Sequence, residues 1–270
     1  MPRTTRGTAS RSPATSSAVG RIVGAPGAMN LFQRTFFAAI LAGLIAGLFL
    51  AVVQGLTVVP LIIQAEEFEQ AAEQSKAQAA GQGAAQSQQH AAHAHASDQA
   101  WAPEDGMERT LYTMLFDVLA GVGFGLLLAG GYALRGSVDL KQGLLWGVCG
   151  FIAFSLSPAL GLPPELPGTE SAGLAARQTW WLATVVLTGA GLALIALVPR
   201  WVAKLAGLLL LAVPHVIGAP HLAEAGAAAP AELQRQFIVT TLAANALFWL
   251  VLGAASGYFF KRFGPADVGA

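Results

Sequence analysis

Charge is what this chain has least of. Only 11% of its 270 residues are charged, and 54% are hydrophobic; a soluble domain carries about 25% charged residues. That deficit, with long apolar runs, excludes an ordinary water-soluble domain and indicates an integral membrane protein. Fifteen Lys and Arg balance fifteen Asp and Glu, so there is no basic excess for binding nucleic acid. The single cysteine, Cys149, lies within an apolar run. It excludes an intrachain disulfide, a CxxC site and a thiolate cluster, and reads as a small buried apolar residue. No lysine is followed by Ser or Thr, which removes the GxxxxGK[ST] phosphate loop. HExxH and GxSxG are also absent, so an enzyme reading has little to stand on.

What is present is a series of apolar stretches. About 20 helical residues span the roughly 30 Å hydrocarbon core of a bilayer. Five stretches reach or approach that length: 36–63, 111–134, 143–162, 180–198 and 237–260. The first is over-long and is interrupted by Gln54 and Pro60. A sixth, 201–217, is short, contains Lys204 and follows the helix-breaking Pro199. The expected fold is therefore an all-α, polytopic integral membrane protein. It has six transmembrane helices, or five if the short fifth span does not cross. With the N-terminus in the cytoplasm, six crossings place eleven Lys and Arg inside and four outside, as the positive-inside rule prefers. Five crossings would put Lys261 and Arg262 outside. Six crossings put both termini inside.

Residues 1–30 read as a disordered basic cytoplasmic tail, Ser/Thr-rich and without acid, with Met29 as an alternative start. Residues 31–262 form the transmembrane domain, 64–107 an outer His/acid loop, and 263–270 a second cytoplasmic tail. In this topology 64–108, 163–178 and 218–236 face outward, and every histidine lies in or beside them. Four GxxxG pairs, at Gly43–Gly47, Gly121–Gly125, Gly143–Gly147 and Gly253–Gly257, provide small surfaces for close helix packing.

Candidate ion ligands cluster toward the outer side. "QAEEFEQAAEQ" can continue the first helix above the membrane, with Glu66, Glu69 and Glu73 on one face beside Glu67. A carboxylate row attracts divalent cations, although a solvated helical face has the same pattern. Beyond it, "AAGQGAAQSQQHAAHAHASDQ" is low in complexity. Its His90, His93 and His95 follow H-x-x-H-x-H, and two or three imidazoles at that spacing can reach one Co²⁺, Ni²⁺, Cu²⁺ or Zn²⁺ ion. A metal-collecting tract and an incidental one both fit. "WAPEDGMERT" reads as a helix start, with Trp101 at the interface and Asp105 and Glu108 as a capping box.

Asp117 lies six residues inside an apolar run. A carboxylate at membrane depth costs a few kcal/mol and by default marks an ion path or a paired partner. Met114, one turn earlier, is a weak thioether ligand or a packing residue. In "VPHVIGAPHL", Pro214 and Gly218 predict broken helix beside His215, with His221 above it. Unwound backbone at membrane depth is tolerated where it is buried in protein or lines a cavity. Gln54, Asp117, His215 and Asn245 share the outer half, from four helices, and one vestibule lined by all four is the expectation.

The chain resembles the CbtA family, cobalt transporter membrane subunits of bacteria. The resemblance rests on "FQRTFFAAILAGLIAGLFLAVVQGLTVVPLIIQAEEFE", "WAPEDGMERTLYTMLFDVLAGVGFGLLLAGGYALRG", "GLPPELPGTESAGLAARQTWWLAT" and "VPHVIGAPH". These span nearly all of 29–262, and "LGLPPELPGTE…ARQTWW" is the most specific. The resemblance implies cobalt uptake at the bacterial inner membrane, linked to cobalamin synthesis, with a one-span CbtB partner carrying its own histidine motif. Family members often carry a His-rich first outer loop; here it is short, with three histidines. No permanent cofactor is implied, Co²⁺ being the cargo. A homo-oligomer in the lipid bilayer is compatible with this. Two classes of function stand. In the first, a transporter subunit collects Co²⁺ at His90, His93, His95 and the acids and hands it inward through Glu69, Asp117 and His215. In the second, the chain is a non-transporting metal-binding accessory or scaffold. An unrelated small-molecule carrier is a weaker third reading.

Overall fold

Small residues in the first span recur at Ala39, Ala42, Gly43, Ala46 and Gly47, the i, i+3, i+4 pattern of one helix face. In the computed structural model that face is buried, while Phe37, Leu41, Leu44, Leu48 and Val52 point outward. This is the arrangement of a helix whose neighbours are protein on one side and lipid on the other. The structure describes residues 31–83, 106–135, 138–222 and 226–263. The His90, His93 and His95 tract, the Trp101–Asp105 part of the expected cap and both tails lie outside the described residues.

The first helix, α1 (Leu31–Thr57), stops at Val58 and restarts as α2 (Val59–Gly83). Pro60 explains the break. Its ring conflicts with a carbonyl four residues back, and its missing N–H is harmless in the first turn of a new helix. Val58 N–H still donates to the Gln54 carbonyl at 2.8 Å. The polar α2 carries Glu66, Glu67, Glu69 and Glu73 onward from α1. The next helices are α3 (Met107–Arg135) and α4 (Leu140–Phe151). Asp139 caps α4, accepting from Gln142 N–H at 2.8 Å. The chain then widens into a π-helical segment (Ile152–Leu156) and closes with the short α5 (Ser157–Ala159). The remaining helices are α6 (Leu174–Leu197), α7 (Trp201–Ile217) and α8 (Ala231–Phe263). The chain is thus an all-α polytopic membrane protein, with five helices among the described residues long and apolar enough to cross and the shorter α7 beside them.

Glycines set the helix pairs. A Cβ on Gly43 would lie 2.5 Å from the Gly121 carbonyl oxygen, and one on Gly47 would lie 2.6 Å from that of Asp117. A Cβ on Gly253 would lie 2.5 Å from the Gly143 oxygen, and one on Gly257 2.7 Å from that of Asp139. The four GxxxG pairs therefore make two antiparallel crossings, α1 on α3 and α4 on α8, and α1 also packs on α8. A third crossing has no GxxxG signal: Gly191 of α6 meets Gly207 of α7, where an added Cβ would lie 2.6 Å from the Gly191 oxygen. The α6–α7 pair joins the other helices mainly through the π-helical segment and α5.

The core is aromatic. Trp249, Phe248 and Tyr132 are fully buried, and Tyr132 Oη lies 2.8 Å from Ser256 Oγ. The antiparallel order sorts the ends of the bundle. Arg34, Arg135, Lys141, Arg200, Lys204, Lys261 and Arg262 lie at one end, hereafter the basic end. The segments following α2, α5 and α7 lie at the other, the loop end.

One expectation is corrected. Pro214 does not unwind "VPHVIGAPHL": α7 runs through it to Ile217 and stops at Gly218, whose φ of 85° favours glycine. Pro214 sits in the last turn, and its carbonyl accepts from Gly218 N–H at 3.0 Å and from Trp180 Nε1–H at 3.2 Å. These bonds hold the turn closed despite the proline.

Candidate functional site

A cavity of about 810 Å³ opens at the loop end between α1, α3, α6, α8 and the π-helical segment. Its polar lining comprises Gln54, Asp117, Ser155, Glu165, Arg177, Gln178 and Asn245, and its aromatic floor includes Phe124, Phe154, Trp181, Phe248 and Trp249. Three of the four polar residues expected to share a vestibule do so: Gln54 from α1, Asp117 from α3 and Asn245 from α8. His215 is not in this wall. Its Nε2 lies 3.2 Å from Ser157 Oγ, which is 2.9 Å from Thr188 Oγ1, and its ring stands edge-on to Trp180. Those contacts tie α7 to α5 and α6.

Asp117 is placed by the closest approach of α1 and α3. With no side chain at Gly47, the α1 backbone lies against the Asp117 carbonyl, and Asp117 takes its place in the cavity wall. Its Oδ2 is buried and has no hydrogen-bond partner among the described residues. Such an atom is costly unless a cation or a donor meets it. Asn245 donates to the Thr241 carbonyl at 3.0 Å, within its own helix.

The rim carries an ion pair that sequence reasoning passed over. Arg177, in the first turn of α6, donates to Glu165 Oε2 at 2.7 Å, and Ser171 Oγ donates to the same oxygen at 2.5 Å. The two prolines of "LPPEL" fix Glu165 at the cavity mouth. Opposite charges within "GLPPELPGTESAGLAARQTWW" are the available signal, but the eleven intervening residues hide the pairing. Asp117 and Glu165 against Arg177 leave one net negative charge in the wall.

The loop bearing Glu165 is tied down. Gln234 of α8 accepts from Leu166 N–H at 3.1 Å and donates to the Pro164 carbonyl at 2.7 Å. Glu170 N–H donates to the Gly226 carbonyl at 2.9 Å, beside the isolated bridge of Thr169 with Ala227. Gln234→Ala should free this rim while sparing the spans. The Leu166 amide is expected to exchange with solvent about tenfold faster or more, since a lost buried hydrogen bond costs about 1–3 kcal/mol. Unchanged exchange by mass spectrometry would show that the clamp is not what orders the loop.

The other sequence candidates lie apart from Asp117. Glu66 takes a two-pronged pair from Arg109, at 2.6 and 3.1 Å, which joins α2 to α3. Glu69, on α2, lies where a Cβ on Gly168 would approach its stem to 3.3 Å. Met114 lines a separate groove with Glu66 and Arg109. His221 is exposed beyond α7. Among the described residues, no three His, Cys, Asp or Glu side chains come together as a ligand set. Glu69, Asp117 and His215 therefore do not form one coordination shell.

The sequence model of the CbtA family, described as a probable cobalt transporter subunit, matches residues 32–261. The chain belongs to the CbtA family. Comparison with curated proteins and with solved structures found no match. The CbtA match runs from the start of α1 almost to the end of α8, so it includes every helix that lines the cavity. Membership places the chain among membrane transport proteins, as a cobalt transporter subunit.

Proposed function

We propose that this chain is the membrane subunit through which Co²⁺ enters the cell, and that the loop-end cavity is where the ion leaves water. The observation that carries the reading is Asp117, a residue of the cavity wall whose Oδ2 is buried with no hydrogen-bond partner among the described residues, beside Gln54 and Asn245 in the same wall. One carboxylate without an arginine partner, Glu165 being paired with Arg177, together with neutral oxygen donors suits a divalent ion that must bind and then leave, because a complete histidine shell would retain Co²⁺ too tightly for passage. The basic end faces the cytoplasm under the positive-inside rule, which makes the cavity outward-facing in the inner membrane with both termini inside.

His90, His93 and His95, with the α2 acids Glu66, Glu67, Glu69 and Glu73 and with His221, concentrate the ion at the outer face. His215, one helix away from the cavity, steadies its α6 wall. A one-span CbtB-like partner or a second copy packs beside the chain, and the apolar outer surface of α7, with Trp201, Leu205 and Leu209 exposed, is available to it or to lipid. No cofactor is resident; cobalt is the cargo.

Uptake of radioactive cobalt by cells producing the chain, with and without a one-span partner, tests this reading. Deleting residues 84–97 should raise the half-saturating concentration and leave the maximal rate intact. No cobalt uptake under either condition would favour the accessory or scaffold role.

A further inference from the structure

Phe154 lines two cavities at once. One is the 810 Å³ loop-end cavity; the other, of about 220 Å³, lies toward the basic end between α3, α4 and α6. The second is walled mainly by apolar side chains, with Arg135, Gln142 and Cys149 as its polar members. The Phe154 ring lies 5.0 Å from that of Phe124, 5.7 Å from that of Trp249 and 6.4 Å from that of Trp181. Phe124 and Trp249 are themselves 4.8 Å apart. Rings from α3, α6, α8 and the π-helical segment thus meet at one level.

We infer that Phe154 is the movable gate between these two cavities, and that together they form the path across the membrane. The inference rests on the transport reading for what passes, but not for where the path runs. An apolar ring cluster excludes water, and a hydrated cation does not cross a dry constriction. The path is therefore closed in this conformation.

The backbone beneath the ring is built to shift. Pro158 lacks the N–H that an α-helix would direct to the carbonyl of Phe154. The chain instead adopts a π turn, in which Ser157 N–H reaches back to the Ile152 carbonyl. A π turn holds one residue more than an α turn. Moving it along the helix rotates the intervening side chains by about 100° each without breaking the span. Space for motion lies on the α6 side, where α4 and α6 touch little and the second cavity opens between them; on the other side the Trp249 ring fills the place a Gly150 side chain would take.

Cys149 lies behind Phe154, in the second cavity, and is the only cysteine in the chain. It serves as a native reporter. A membrane-impermeant, trimethylammonium-bearing methanethiosulfonate is applied to either face, using right-side-out and inside-out membranes. No cobalt is present. In the wild type, Cys149 should react from the basic-end face and scarcely from the loop-end face. Phe154→Ala should raise the loop-end rate by about tenfold or more while preserving the basic-end rate, because the dry constriction is removed. If Phe154→Ala does not reach the membrane, Phe154→Leu gives the same reading with a smaller gain. An unchanged loop-end rate, or a wild-type Cys149 that reacts equally from both faces or from neither, would overturn the gate. A gate confirmed by labelling in a chain that moves no cobalt would retire the cobalt reading and leave the path standing.

Discussion

Asp117→Asn should lower cobalt uptake at least about tenfold without lowering the stability of the protein, because the site depends on a charge that the fold does not need. The substitution keeps the shape of the side chain. It removes a carboxylate whose Oδ2 is buried with no partner among the described residues. An unpaired buried charge destabilises the protein that holds it. The asparagine variant should therefore melt at the same temperature as the parent in detergent, or slightly higher. A purely structural aspartate would show the opposite pattern, with stability falling and uptake declining only in proportion to the protein made. Asp117→Glu retains the charge and should retain part of the activity.

The second large effect is structural. Gly147→Leu should prevent accumulation of folded protein. A Cβ at Gly147 would lie 3.1 Å from the Gly253 Cα and closer still to the Trp249 carbonyl oxygen. Backbone has no rotamer with which to yield, so α4 and α8 would have to separate. Overpacking a core typically costs about 1–3 kcal/mol, and a whole isobutyl group against a carbonyl lies at or beyond the upper end. Gly123→Leu is the matched control, since nothing lies within 4 Å of a Cβ there. On size-exclusion chromatography in detergent, Gly147→Leu should lose the monodisperse peak and Gly123→Leu should keep it. Equal behaviour of the two would contradict the glycine-mediated crossing.

These two residues show what the sequence made legible and what it hid. Asp117 stands out because a charge in an apolar run is expensive wherever it points, so its depth alone marks it. Gly147 stands out as half of a GxxxG pair, but its partner helix does not, because spacing along one helix carries no information about which other helix supplies the matching surface. Facing is hidden in the same way. Gln54, Asp117 and Asn245 share a cavity with one another and not with His215, although all four have similar depths. His215 looked exposed to an ion path because proline and glycine flank it. The carbonyl of Pro214 is instead satisfied by Gly218 and Trp180, a pairing that depends on a tryptophan 34 residues away. Phe154 was invisible as a special residue, since one phenylalanine among fourteen carries no signal until the π turn and the two cavities locate it. Pro158 was the available clue, as a proline inside a span requires some local rearrangement of backbone hydrogen bonds.

Direct cobalt binding to the purified protein lacking residues 84–97 tests the central claim most closely, because it removes the histidine tract and isolates the cavity. Equilibrium dialysis with radioactive Co²⁺ is predicted to find a site that survives the deletion, survives His215→Ala and is lost in Asp117→Asn. Binding that is unchanged by Asp117→Asn, or that disappears with the tract alone, would contradict the account.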